Sequence, residues 1–310
     1  MFVSVIIPTY NRLGILIKCL NALENQIILD PIDKFEIIIV DDGSTDGTQS
    51  YLKKNEDIFS HVRLFEEEHK GPSHARNKGI KESRGNLIVF IDSDLVVKKD
   101  FLISHAKTIS KSWTKRKDKL CFTYGSVVNT SNFDNPTSER IKPTDLSWAY
   151  FATGNVAIHK ETLNMAGMFD NSFCLYGWED LELGERLRKI GVKLIKCPNA
   201  IGYHWHPPLT LDQIPNLIRI EKERAKMGLV FYKKHPSLRV KAIIQYTYFH
   251  KFLWELLTIG GIINEKSLRP ILQLLIKVGV PGVAMQLLRL PLNRIGVRAI
   301  FREAHVNRLY

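Results

Sequence analysis

Short, unbroken apolar runs recur through the first hundred residues: VSVII at 3–7, EIIIV at 36–40, VRLF at 62–65 and LIVFI at 87–91. They are mostly β-branched and do not alternate with polar residues. Runs of this kind predict strands covered on both faces. About 20 to 30 residues separate them, long enough for crossover helices. Strand–helix–strand repetition implies a mostly parallel sheet flanked by helices, with right-handed crossovers. In such a sheet ligands bind at the carboxyl ends of the strands. Those ends here carry Pro8-Thr9-Tyr10, Asp41-Asp42 and Asp92-Ser93-Asp94.

After Pro207-Pro208 the pattern becomes helical, over 211–235, 240–263 and 270–300. The expected organisation is an α/β domain at 1–210 and a basic, mainly α-helical region at 211–310. Net charge sharpens that boundary: of the total of +12, residues 1–210 carry about +1 and residues 211–310 about +11. A basic, aromatic-rich and apolar region suits an anionic membrane surface. Packing on the first domain or on a second subunit is the structural alternative, so oligomerisation stays open. No nucleic-acid motif accompanies the charge, and nucleic acid is not an expected partner. The first residues do not read as a signal peptide, and no window is apolar enough for a transmembrane helix. Four cysteines without paired spacing read as free thiols of a reducing cytoplasm. Residues 111–119 read as a basic helix end or loop, and 129–147 as a mobile loop.

Two carboxylates delivered by a buried strand suit a hard divalent cation, Mn2+ or Mg2+, which bridges diphosphate oxygens. Asp41 and Asp42 repel unless donors or a cation lie near, and a base edge or ribose would supply donors. Ser44, Thr45 and Asp46 are good caps for a following helix. Neither phosphate-cradling glycine motif is present.

The segments SVIIPTYNR, VDDGSTDGT, GPSHARNKG and IDSD, in this order, resemble family 2 glycosyltransferases of the GT-A (Rossmann-like) fold. FATGNVAIHKETLNMAGMFDNSFCLYGWEDLELGERLRKIG at 151–191 is similar to the acceptor half of chondroitin-polymerase-type and β-1,4-galactosyltransferase-type enzymes. The resemblance implies an inverting, metal-dependent transfer of a hexosyl or N-acetylhexosaminyl group. The donor would be a nucleotide sugar, UDP-linked by preference, and the acceptor a hydroxyl of a glycan or lipid-linked glycan. It assigns Pro8, Thr9, Tyr10, Asp41, Asp42, Arg76, Asp92 and Ser93 to the nucleotide. Thr9, Asp42 and Arg76 would approach the base, and Asp92 the ribose or a metal-bound water. Asp94 and His204 would hold the metal, with His206 as the alternative histidine. Asp180 would be the general base, Glu179 an acceptor ligand, and Trp178, Gly154 and Asn155 would meet the sugars. For Trp178, a place in the core is the structural alternative.

Glu179 to Ile190 reads as a helix with Leu183, Leu187 and Ile190 on its apolar face and Gly191 as its stop. Acids in its first turn complement the helix dipole, which is expected to keep a carboxylate ionised near neutral pH. The setting implied is surface-polysaccharide or glycolipid assembly at the cytoplasmic face of a membrane. The rival readings are a non-catalytic nucleotide-sugar- or carbohydrate-binding protein and a membrane scaffold on the same fold.

Overall fold

The four apolar runs become strands β1 (Phe2–Thr9), β2 (Lys34–Asp41), β3 (Val62–Glu66) and β4 (Leu87–Ile91), all parallel and ordered β3-β2-β1-β4. Their continuity has a direct cause. In β1, Val3, Val5 and Ile7 enter one hydrophobic cluster and Ile6 enters another; in β4, Leu87, Val89 and Ile91 divide in the same way from Ile88 and Phe90. Both faces are buried, so neither can be polar. A computed structural model describes residues 1–116, 120–142, 145 and 149–306.

The same sheet continues through β5 (Leu95–Val97), β6 (Cys121–Thr130), β7 (Asn155–His159) and β8 (Lys193–Trp205). The full order is β3-β2-β1-β4-β7-β6-β8-β5. Here β7 runs antiparallel to β4 and β6, and β5 antiparallel to β8, whereas β6 and β8 are parallel. The helices of this unit are α1 (Leu13–Glu24), α2 (Thr48–Lys54), α3 (Pro72–Glu82), α4 (Phe101–Arg116), α5 (Lys160–Met165) and α6 (Glu179–Lys189). Packing of α3 is tight: a Cβ on Gly79 would lie 2.4 Å from Ile6 Cγ2. The fold is GT-A-like, as the resemblance implies.

Helix α6 ends where expected, at Gly191 with φ 81°, but Ile190 lies beyond its end and is exposed, so only Leu183 and Leu187 are buried on the apolar face. The expected basic segment at 111–119 is helical through Arg116, and 117–119 lie outside the described residues. Of the expected loop at 129–147, residues 129 and 130 belong to β6, and 136–138 form a 3-10 turn. Asn132 Oδ1 accepts from Asn135 N, and Asp145 bonds Asn129; residues 143, 144, 146 and 147 lie outside the described residues.

The chain divides into two compact units, one of Met1–Cys174 with Glu179–His206, the other of Leu175–Trp178 with Pro207–Tyr310. The second contains α7 (Ile214–Lys234), α8 (Leu238–Ile243), α9 (Tyr248–Leu257), α10 (Arg269–Lys277) and α11 (Pro281–Val306). The helix expected at 211–235 is the single helix α7 after a 3-10 turn at Leu211–Gln213, whereas those expected at 240–263 and 270–300 are each subdivided. Thr247 caps a new helix through its side chain, and Gly279 adopts φ 80° just before Pro281 starts α11. A glycine with positive φ followed by proline ends one helix and begins another. Leu209, Ile214, Leu268, Leu272, Ala284, Leu288 and Leu292 form a core in this unit.

Candidate active site

The strand ends are tied together before any ligand is considered. Asn11 Oδ1 accepts from Thr45 N at 2.7 Å, and Asn11 N donates to Ser44 Oγ at 2.9 Å. Asp46 accepts from Leu13 N through Oδ2 at 2.9 Å and from Thr48 N through Oδ1 at 3.2 Å. One carboxylate therefore accepts from the first N–H of both α1 and α2; burial pushes it up, but the Thr48 hydroxyl, donating to it at 2.6 Å, and these backbone bonds hold it below the usual carboxylate range. Of the three expected caps, Asp46 caps both helices, while Ser44 and Thr45 lock one loop to the other.

Asp41 and Asp42, adjacent in sequence, differ in what remains open. Asp42 accepts from Lys70 N at 2.8 Å and Gly71 N at 3.0 Å, and His69 Nδ1 lies 2.9 Å from it. Its carboxylate is spent on holding the loop before α3. Asp41 accepts from Ser44 N and Gln49 Nε2 through Oδ2, but its Oδ1 is buried without a partner, as is Thr9 Oγ1. An unpaired buried acceptor is costly, which marks this pair as the place for a donor-bearing ligand edge. Tyr10 is exposed and stacks on His69, with ring centroids 4.3 Å apart.

At the end of β4, one ligand atom each from Asp92, Asp94 and His204 lie within 4.8 Å of one another. Asp94 Oδ1 is 2.9 Å from His204 Nε2, and Oδ2 is 3.2 Å from Arg12 Nη1. Burial pushes the Asp94 carboxyl up, but His204 and Arg12 outweigh it and hold it low. Burial likewise pulls His204 down, and Asp94 raises it above the ordinary histidine value. His206 faces another partner, Asn129 Oδ1 at 3.1 Å, and burial with His204 beside it pushes it down to about 4. The geometry thus brings His204, and not His206, to the aspartates. Two carboxylates and an imidazole fit a cation of the Mn2+ type, with oxygen and nitrogen donors. Ser93 is buried beside them, and a Cβ on Gly154 would lie 3.2 Å from Asp92 Oδ2.

Arg76 links this group to α6. Its Nη2 donates to Asp92 Oδ1 at 3.2 Å and its Nη1 to Glu179 Oε1 at 2.9 Å, with the guanidinium over the Phe169 ring. The arginine is buried, and both ends of its fork are occupied by carboxylates. It therefore joins Asp92 to Glu179, where the resemblance had directed it to a base. Glu179 Oε2 is buried without a partner. Asp180 is half-buried, and burial, then the charge of Glu179, push its carboxyl up to about 7, against the opposing pull of Arg76. Burial and Glu179 thus oppose the ionisation that the helix dipole was expected to favour.

Two expected acceptor residues have other partners. Asn155 is fully buried: Oδ1 accepts from His105 Nε2, and Nδ2 donates to Ser126 O and Ala200 O, each at 2.9 Å. With its oxygen bonded to α4 and its nitrogen to β6 and β8, its side chain has no polar atom left for a sugar. Trp178 belongs to the second unit, where Nε1 donates to Arg224 O at 2.7 Å and the Arg224 guanidinium lies 5.0 Å from the ring centroid. Its φ of 78° is strained for a bulky residue. The indole is held in that unit's packing and does not stand free as a stacking platform. Arg12, in turn, escaped the sequence reading; its only local signal is its place directly after the β1 turn.

Residues 4–143 match the model of glycosyl transferase family 2, and residues 137–208 that of the N-terminal domain of galactosyltransferase. The chain is 30% identical to the glycosyltransferase AglE of Haloferax volcanii over 66% of each chain. It is 26% identical to the chondroitin synthase of Escherichia coli over 66% of this chain but only 35% of that protein. The mannosyltransferase PcManGT of Pyrobaculum calidifontis, solved with GDP-Man and Mn2+, shares the fold with a TM-score of 0.61 at 19% identity, covering 97% of this chain and 87% of that one.

Proposed function

As a chain that belongs to the family 2 glycosyltransferases, this protein, we propose, transfers a hexosyl or N-acetylhexosaminyl group from a nucleotide sugar to a hydroxyl of a glycan or lipid-linked glycan with inversion. The observation that carries the reading is the juxtaposition of Asp92, Asp94 and His204 with Arg76, which hands the charge network on to Glu179 and Asp180. A cation held by Asp94 and His204, with Asp92 nearby, would offset the charge of a departing nucleoside diphosphate. Asp180 takes the proton of the acceptor hydroxyl, whose oxygen bonds to the anomeric carbon as the bond from that carbon to the phosphate oxygen breaks. Glu179, with Oε2 uncommitted, is placed to accept from an acceptor hydroxyl. Thr9 and Asp41 meet the nucleotide, with Tyr10 beside them.

UDP is the proposed nucleotide and Mn2+ the proposed metal. The relative named chondroitin synthase supports a polysaccharide setting, and the neighbour solved in complex with GDP-Man and Mn2+ supports a nucleotide sugar with manganese. The proposed place of action is the cytoplasmic face of a membrane. The test is Asp180→Asn with a panel of nucleotide sugars in Mn2+. Nucleotide-sugar affinity should be retained while transfer falls by 100-fold or more, in the range typical of a lost general base. Transfer at the normal rate would remove Asp180 from the chemistry.

A further inference from the structure

The second unit contains helices that are apolar on two sides. In α10, Leu272 packs into the core formed with Ala284 and Leu288, yet Ile271 and Leu274, with Val278 just past the helix end, are exposed on another face. In α9, Tyr248, Phe252 and Leu256 repeat every four residues and are 76%, 66% and 61% exposed, with Phe249 beside them at 67%. Isolated exposed apolar residues are ordinary, but repeats at helical spacing are an interaction face.

Charge decides what covers it. Across residues 238–283 there are six basic residues, Arg239, Lys241, Lys251, Lys266, Arg269 and Lys277, against two acids, Glu255 and Glu265. Glu255 is committed to Arg294, 3.0 Å away, and to Arg298. Lys251, Lys266, Arg269 and Lys277 are all exposed. A second copy related by a two-fold axis would bring this basic surface against itself, which charge disfavours. An anionic lipid surface complements both the charge and the apolar face. Among the described residues no helix is long and apolar enough to cross a membrane, so contact would be lateral.

We infer that α9 and α10 are a peripheral docking surface for anionic lipid, with Tyr248, Phe249, Phe252 and Leu256 entering the headgroup boundary and the lysines meeting the phosphates. The surface gives the proposed membrane setting a physical location. It rests on that setting and not on the transfer chemistry, so the two can fail separately.

The test is co-sedimentation of the full chain with phosphatidylcholine vesicles containing about 30% phosphatidylglycerol, against pure phosphatidylcholine. Binding should need the anionic lipid and weaken with salt. Phe249→Ser/Phe252→Ser and Lys266→Glu/Lys277→Glu should each reduce binding roughly tenfold or more, since one basic residue near such a surface contributes a factor of about five. Far-UV circular dichroism and calorimetric nucleotide binding in Mn2+ should match the parent, which shows that these variants fold. Equal sedimentation of parent and variants, or no binding to anionic vesicles, overturns the inference. So does a parent dimer in sedimentation equilibrium that the phenylalanine pair dissociates, because the face would then belong to a second copy. Vesicle binding without transfer would leave the lipid surface standing and remove the proposed enzyme chemistry.

Discussion

Asp180 provides the sharpest test of the proposed chemistry because burial and the charge of Glu179 push its carboxyl up to about 7. Its rise from the ordinary 3.8 to about 7 corresponds to roughly 4 kcal/mol against ionisation, at about 1.4 kcal/mol per unit. With Asp180 as base, kcat/KM should climb with pH: about a tenth of its plateau at pH 6, half at pH 7 and nine-tenths at pH 8. After burial, the charge of Glu179 is the next cause of the rise, so Glu179→Gln should move this acid limb to lower pH. A one-unit move would raise activity at pH 6, relative to the variant's own plateau, about fivefold. The plateau should itself fall, because Glu179 is proposed to meet the acceptor, but limb position and plateau height are separate readouts. Arg76→Lys gives the opposite control. An ammonium cannot span Asp92 and Glu179 as the guanidinium does, so its downward pull weakens and the limb moves to higher pH. The assay is metal-dependent release of nucleoside diphosphate in the presence of acceptor, from pH 5.5 to 8.5. A flat profile, or a limb unmoved by Glu179→Gln, refutes the assignment. Stability gives an independent check of sign. Between about pH 4 and 7 the folded chain retains on Asp180 a proton that the unfolded chain has released, so stability falls as pH rises through that window. Asp180→Asn should therefore be the more stable protein at pH 8, by no more than that roughly 4 kcal/mol, with the difference vanishing towards pH 4.

Asp94→Ala should abolish the Mn2+-dependence of nucleotide binding in calorimetry, leaving the metal-free affinity in place; an affinity unchanged in Mn2+ would remove Asp94 from the site. Asn155→Ala should lower the urea midpoint, losing roughly 2–4 kcal/mol as the partners on His105, Ser126 and Ala200 go unpaired. A rise in acceptor KM at unchanged stability would instead restore Asn155 to sugar binding.

What could be read from the chain follows from the range of the forces involved. The parallel half of the sheet was legible because burial on both faces leaves a local, unbroken apolar run, as in Leu87–Ile91. The other half was not. β5 has three residues, β8 carries Pro198 and Gly202, and β6 changes register between Gly125 and Ser126, so none leaves a clean period. The helix breaks at Thr247 and Gly279 were hidden because apolar residues continue on both sides of them. Site residues were legible as motif members, but their partners were not. Arg76 and Glu179 lie 103 positions apart, and no local spacing records that they meet. Asn155 shows the converse failure: it sits in a site-like segment, yet its amide ties β7 to β6 and β8 through Ser126 O and Ala200 O and to His105 of α4.

Those long-range pairings also redistribute the proposed recognition of the nucleotide. An arginine whose two ends bind Asp92 and Glu179 has no fork left for a base, and Asp42 is spent on Lys70 N and Gly71 N. Thr9 Oγ1 and Asp41 Oδ1 are left, both buried and unpartnered. A hydroxyl can donate or accept, whereas a carboxylate oxygen is an acceptor. A partner for Asp41 Oδ1 should therefore present an N–H or O–H. The imide N–H of uracil does so, as do the N–H groups on guanine's pairing edge and a ribose hydroxyl. The pair consequently favours a ligand with a donor at this position, while the choice between uridine and guanosine depends on the shape of the space around Tyr10 and His69.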